Sequence, residues 1–226
     1  MGVVLPRAFY ARPTLEVARD LIGKVLVHHS RAGATAGTIV EVEAYIGEGD
    51  PACHAAAGLT RRNAPLYGPP GRAYVYLSYG IHCLVNAVTE PEGAPAAVLI
   101  RALEPRDGLM LMRRRRARGA SRRATPLRDA HLCRGPGNLT RACGITLKQN
   151  RIDLCGDQLF IEDRGEAAAR VVWSPRVGIS VGTDRRWRCA VSGNPSVSTA
   201  GAGRAATAGG GLGTRRPRTR GVGRSG

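Results

Sequence analysis

The sequence predicts a single α+β domain built on a largely antiparallel β-sheet. Three observations carry that expectation. Strand-like runs come in pairs joined by short turns, and connections that short can only join antiparallel neighbours. Helical patterns are few and brief. The chain has 226 residues, 43% of them hydrophobic, enough for one medium core and at most two small ones.

Each element can be justified in order. "PTLEVARDLIG" predicts a first helix, with Thr14 as N-cap, an apolar stripe of Leu15, Ala18, Leu21 and Ile22, and Gly23 as the stop. "KVLVHHS" and "TIVEVEAYI" predict two strands folded back on each other through "RAGATAG". Alternation along the second strand puts Val40, Val42, Ala44 and Ile46 on an apolar face. Ile39, Glu41, Glu43 and Tyr45 fall on the other. Residues 47–72, rich in Gly, Pro and Arg, read as a loop long enough to be functional. "AYVYLSYG" and "IHCLVNAVT" predict a hairpin turning at Tyr79-Gly80. "AAVLIRALEP" predicts a strand ended by Pro105, and 106–118 a helix carrying the run Arg113 to Arg116. "GPGNLTRACGI" reads as a loop opening a short helix, and "QLFIED", "SPRVGIS" and "WRCAVSG" as short strands or connections.

The composition shifts near Thr199. Residues 199–226 hold six arginines, no acid and almost no large apolar side chain. Such a segment cannot offset its ordering entropy by burial, so a folded domain over 5–198 and a disordered Gly/Ala/Arg-rich tail over 199–226 are expected.

Charge narrows the partners. Against 17 acids stand 34 basic residues, a formal net charge of +17. That balance points to a polyanion, most simply nucleic acid. Only Lys24 and Lys148 are lysines, so few amines are available for Schiff-base chemistry. The six cysteines, at 53, 83, 133, 143, 155 and 189, form no C-x-x-C pair, and no metal site is expected from their spacing. The start lacks a secretory signal pattern, and no apolar run would span a bilayer. A cytoplasmic protein with reduced thiols is the expectation.

Four blocks carry chemistry: "VEVEAYIGEGDPACH", "GPPGRAYVYLSYGIHCLVN", "LIRALEP", and "GPGNLT" with "RVGIS". In this order and at these spacings they closely resemble the alkyladenine DNA glycosylase family, the 3-methyladenine DNA glycosylases, and the chain looks like a bacterial member. The resemblance runs from about Leu15 to Ser198. It implies a curved sheet with surrounding helices and a protruding hairpin. It also implies hydrolysis of the N-glycosidic bond of damaged purines in double-stranded DNA, by a monomer needing neither metal nor organic cofactor. The substrates it implies are 3-methyladenine, 7-methylguanine, hypoxanthine and ethenoadenine. A nucleoid-associated location in the bacterial cytoplasm follows from that role.

The resemblance assigns roles residue by residue. Glu43 is the catalytic base holding the attacking water, helped by Arg101 and the Val177 carbonyl. Tyr45, His54 and Tyr76 line the base pocket. Asn86 crowds the exocyclic amine of guanine. Tyr79 wedges into the minor groove in place of the flipped nucleotide. The loop bearing Asn138 contacts phosphates. The net charge, not the resemblance, gives the Arg113 to Arg116 run a non-specific share of DNA attraction. Read from its place beside Glu43, Glu41 is expected to be structural, paired with an arginine. Cys189-Ala190 departs from the larger residues usual in the family. The chemistry is self-consistent: an oxocarbenium-like reaction needs a carboxylate to activate water, and an extruded base needs an aromatic slot and a filler for the gap. A non-catalytic basic nucleic-acid-binding protein would explain the charge, but not the co-occurrence of Glu43, Tyr45, His54, Tyr76, Tyr79 and Arg101. An inactive lesion sensor is disfavoured by the intact Glu43.

Overall fold

A computed structural model describes residues 2–118, 127–167 and 170–199 of the chain. Its elements are β1 (Val3–Val4), α1 (Arg7–Tyr10), α2 (Thr14–Leu21), β2 (Val25–Ser30), β3 (Gly33–Ile46), β4 (Ala73–Ser78), β5 (His82–Val88) and β6 (Ala96–Asp107). They are followed by α3 (Leu109–Ala117), α4 (Pro136–Cys143), β7 (Leu159–Asp163), β8 (Val171–Ser174) and β9 (Arg188–Val191). The strands make one open sheet in the order β1-β7-β2-β3-β6-β5-β4, with the β8–β9 hairpin joined to β3 through β9. Every pairing is antiparallel, as the short turns predict. The expected tail, apart from Thr199, lies outside the described residues.

β3 is the spine. One edge pairs with β6 along most of its length, while the other meets β2 over Gly33–Thr38 and β9 over Glu41–Glu43. One face of the sheet buries Ile39, Val42 and Ala44 of β3 with Ile100 and Leu103 of β6, beneath Val17, Ala18 and Leu21 of α2 and Leu139 and Ala142 of α4. Apolar burial at roughly 25 cal/mol per Å² makes this face the main source of stability. The opposite face carries a smaller cluster of Cys53, Leu66, Tyr74 and Ala97, with Tyr45 and Tyr76 against it.

Simple alternation misplaces Ile39. The β3–β6 register runs Ile39↔Leu103, Glu41↔Ala102, Val42↔Ile100, skipping Val40 on one strand and Arg101 on the other. Two opposed bulges cancel, so the register is the same on both sides. The face parity, however, switches between 39 and 42. Ile39 therefore joins Val42 in the core, while Glu41, Glu43 and Tyr45 keep the shared face that alternation gives them.

Three further expectations are corrected. Thr14 is the first residue of α2 rather than its cap; its hydroxyl instead bonds Thr89, at 2.9 Å, and Glu90, at 2.7 Å. The buried stripe of α2 is Val17, Ala18 and Leu21, with Leu15 partly exposed. Pro105 does not end β6, which continues to Asp107. β5 covers β6 only over Ala97–Leu99, so the missing Pro105 N–H breaks no ladder bond on that side. The segment Val171–Ser174, unassigned by sequence, forms β8 because it pairs Val172 with Ala190 and Trp173 with Cys189. Cys189 is fully buried. All six cysteines are free, and no described helix is long and apolar enough to cross a membrane.

Candidate active site

A cavity of about 380 Å³ opens on the sheet face opposite the main core, within the range of small-molecule pockets. Its lining includes Tyr45, His54, Tyr76, Asn86, Arg101 and Val177, six residues from four separated parts of the sequence. Tyr79 stands at its rim.

Glu43 lies fully buried under the cavity. One carboxylate oxygen accepts the Val177 N–H at 2.7 Å. The other accepts the Tyr45 hydroxyl at 2.9 Å and an Arg101 Nη1 proton at 3.0 Å. Arg101 reaches this place by ordinary alternation along β6, since Ala97 and Leu99 line the same cavity and Val98 and Ile100 face the core. Its Nη1 also points at the Val177 carbonyl, 3.5 Å away, and its Nε donates to Glu41 at 2.8 Å. The resemblance gives the Val177 carbonyl a part in holding the water; the structure adds a direct bond from the Val177 amide to Glu43.

Glu41 has a different character. It accepts from Arg101, from Arg188 Nε at 2.7 Å, and from both the amide and the hydroxyl of Ser198 at 2.6 and 2.7 Å. Burial alone would raise its pKa, but Arg101, Arg188 and Ser198 outweigh it and hold Glu41 below the ordinary carboxylate range. It accepts four hydrogen bonds, three on one oxygen and one on the other, which fits the structural role expected of it. Burial also pulls Arg101 down, yet Glu43 and Glu41 more than offset this and keep it a guanidinium.

The pocket walls are aromatic. His54 begins a short 3-10 turn, His54–Ala57, and packs edge-on to Tyr76 with centroids 4.5 Å apart. Its Nδ1 lies 2.8 Å from the Tyr74 hydroxyl. Burial, then the charge of Arg62, lowers the His54 pKa, so the ring is neutral at neutral pH. Burial raises Tyr74 and Tyr76 to about 12, and pushes Tyr45 upward with Glu43 adding to the effect. All three stay phenols. Asn86, opposite Tyr74 in the β4–β5 register, donates to the Tyr74 carbonyl at 3.0 Å.

Behind Tyr45 sits a buried ion pair that sequence reasoning missed. Both terminal nitrogens of Arg176 bond the Asp50 carboxylate, one at 2.7 Å, and neither side chain is exposed. The guanidinium lies 4.6 Å from the Tyr45 ring centroid and next in sequence to Val177. Burial would raise Asp50, but Arg176 holds its pKa down. The pair locks the 47–53 loop to the 175–182 segment, and so fixes both the Tyr45 ring and the Val177 amide. Tyr74 was also missed, although its spacing of two from Tyr76 on a strand is a readable signal.

Tyr79 is set apart. It is 89% exposed at the tip of the β4–β5 hairpin and has φ 49°, followed by Gly80 at φ 70°. The Ile81 amide closes the turn on the Ser78 carbonyl at 3.0 Å. Positive φ at both central positions suits a hairpin turn, but for a tyrosine it costs of order 1–3 kcal/mol. Asn138 does not reach the cavity. It sits in α4, accepting from Arg116 and donating to the Arg134 carbonyl at 2.8 Å.

The Methylpurine-DNA glycosylase family model matches residues 8–195. The chain belongs to that family. Proteins bearing the provisional name 3-methyladenine DNA glycosylase are similar along most of their length. The one from Methanocella arvoryzae is 49% identical over 86% of this chain and 96% of its own. That from Chlorobium phaeobacteroides is 48% identical over 87% and 96%, and that from Burkholderia lata 46% over 87% and 92%. Membership makes the chain a DNA glycosylase, a hydrolase of N-glycosyl bonds with DNA as its substrate.

Proposed function

We propose that this glycosylase extrudes damaged purines from duplex DNA and hydrolyses them with a water activated by Glu43, leaving an abasic site. The expected bases are 3-methyladenine, 7-methylguanine, hypoxanthine and ethenoadenine. The extruded base lies between Tyr45, His54 and Tyr76. Asn86 rejects guanine by crowding its exocyclic amine, Tyr79 fills the gap in the stack, and the first turn of α4, which carries Asn138, contacts phosphates. Arg101 and the Val177 carbonyl complete the seat of the water.

The observation that carries this reading is the Glu43 carboxylate itself, buried and held by three donors beside an aromatic cavity. A carboxylate fixed in this way is pre-oriented as a base, and it stabilises the oxocarbenium charge that develops on the sugar. Neither lysine lies among the lining residues, which supports attack by water over attack by an amine. A monomer suffices, since one chain supplies every group named.

The test is release of free hypoxanthine from a duplex by the wild-type enzyme and by Glu43→Gln. The variant should lose at least 10²-fold in single-turnover rate, the lower end of general-base contributions, while lesion binding persists. Excision by Glu43→Gln near the wild-type rate removes Glu43 from the role. Covalent trapping of the enzyme on its substrate by borohydride overturns the water mechanism.

A further inference from the structure

We infer that Arg62 sets the charge preference of the base pocket, disfavouring purines made cationic by ring alkylation relative to neutral damaged purines. This rests on the reading of the cavity as the base site.

Two guanidiniums line the cavity, those of Arg62 and Arg101. They differ in how they are balanced. Arg101 is bonded to both Glu41 and Glu43, and Glu41 also takes Arg188. Arg176, behind Tyr45, is matched by Asp50. These three arginines are matched by three carboxylates, and Arg185, more exposed, also approaches Asp50 at 3.9 Å. Arg62 has no ion pair and no hydrogen bond among the described residues. It is exposed, and its guanidinium lies 6.0 Å from the Tyr76 ring centroid. Its field reaches His54, where it adds to burial in lowering the pKa, and Tyr74 and Tyr76, where it opposes the upward push of burial. Among the described residues lining the cavity, Arg62 is thus the guanidinium that no carboxylate balances.

That unbalanced charge acts oppositely on two kinds of base. A purine methylated on a ring nitrogen is already cationic when it enters, and a fixed guanidinium repels it. The ring faces, which would otherwise attract a cation, have Arg62 over Tyr76 and Arg176 over Tyr45. A neutral purine such as hypoxanthine takes up the bonding electron pair as the glycosidic bond breaks. A nearby positive charge stabilises that developing negative charge.

The experiment compares single-turnover excision, at saturating enzyme, of 7-methylguanine and of hypoxanthine from otherwise identical duplexes. Wild type is set beside Arg62→Lys, Arg62→Met, Arg62→Gln and Arg62→Glu. Charges about 10 Å apart in a partly screened site interact enough to shift a rate severalfold. Arg62→Met and Arg62→Gln should raise the 7-methylguanine to hypoxanthine ratio by about threefold to tenfold. Arg62→Glu should raise it further, and Arg62→Lys should leave it near wild type. An unchanged ratio across the series overturns the inference. So does an equal loss on both lesions with a shallower salt dependence, which would make Arg62 a phosphate contact instead. If wild type releases neither base, the reading of the cavity fails first and takes this inference with it.

Discussion

Burying two carboxylates side by side costs several kcal/mol per charge unless each is matched by partners. Glu41 and Glu43 are both fully buried, and Arg101 is matched to both at once. Glu41, held by Arg188 and Ser198, anchors Arg101 so that the guanidinium can present its remaining edge to Glu43. His54 gives this scale its pH dependence. Its folded pKa lies below its ordinary value of 6.5, through burial and then Arg62. The unfolded chain therefore binds the proton more readily, and stability rises with pH through that window. His54 contributes fully above about pH 6.5 and its contribution is lost as pH falls below it. The melting temperature should drop on acidification from pH 7.5 to 5, and His54→Gln should flatten part of that drop. The remainder is expected from His28, whose pKa burial also lowers. An identical slope in wild type and His54→Gln would show that the ring titrates as freely folded as unfolded. The residue types of the site were legible because each chemistry needs its own: a carboxylate, an arginine, aromatic walls. The Val177 amide and the Asp50–Arg176 pair were not, because backbone donors carry no sequence signature and a pair 126 positions apart has no spacing rule.

At the scale of elements, the strands and hairpins were readable from alternation and turns, and the errors came where alternation breaks. The paired bulges at Val40 and Arg101 are one case. They flip Ile39 into the core, a result of strand pairing that no single strand encodes, while Arg101 keeps the cavity face that alternation from Ala97 and Leu99 gives it. β8 is another: Val171–Ser174 is a strand only because β9 lies beside it. The β4–β5 hairpin was legible to its tip. A tyrosine left exposed there, at positive φ, has no packing to explain it. If it replaces the extruded nucleotide, its ring supplies stacking of roughly 1–3 kcal/mol. Tyr79→Ser should then lower excision from a paired lesion by about one to two powers of ten. The loss should shrink for the same lesion in a single strand, where there is no stack to open. Melting should stay within about 0.5 kcal/mol of wild type, as for other surface changes. A lower melting temperature with equal losses on both substrates would mean that Tyr79 packs the hairpin instead.

Over the whole molecule the decisive quantity is charge. A net +17 draws any stretch of duplex, damaged or not, and much of it is remote from the cavity. Arg113 is tied to Asp129 and the Leu127 carbonyl, and Arg115 to Ser30 and the Ala142 carbonyl, so part of the α3 run is engaged within the fold. Residues 200–226 add six arginines and no acid, and their removal takes the net charge from +17 to +11. Each DNA phosphate that these arginines neutralise steepens the fall of log K with log salt by about 0.9. A chain ending at Thr199 should therefore bind undamaged duplex more weakly, with a shallower slope, the difference being largest at low salt. Single-turnover excision at saturating enzyme should be nearly unchanged, because every group assigned to the cavity lies before residue 199. Binding measured across a salt series, beside excision on one hypoxanthine duplex, separates the two effects. If truncation leaves the slope untouched, the six arginines neutralise no phosphate. If it cuts the excision rate tenfold or more, the C-terminal segment acts at the cavity, and attraction and chemistry are not divided between the two parts of the chain.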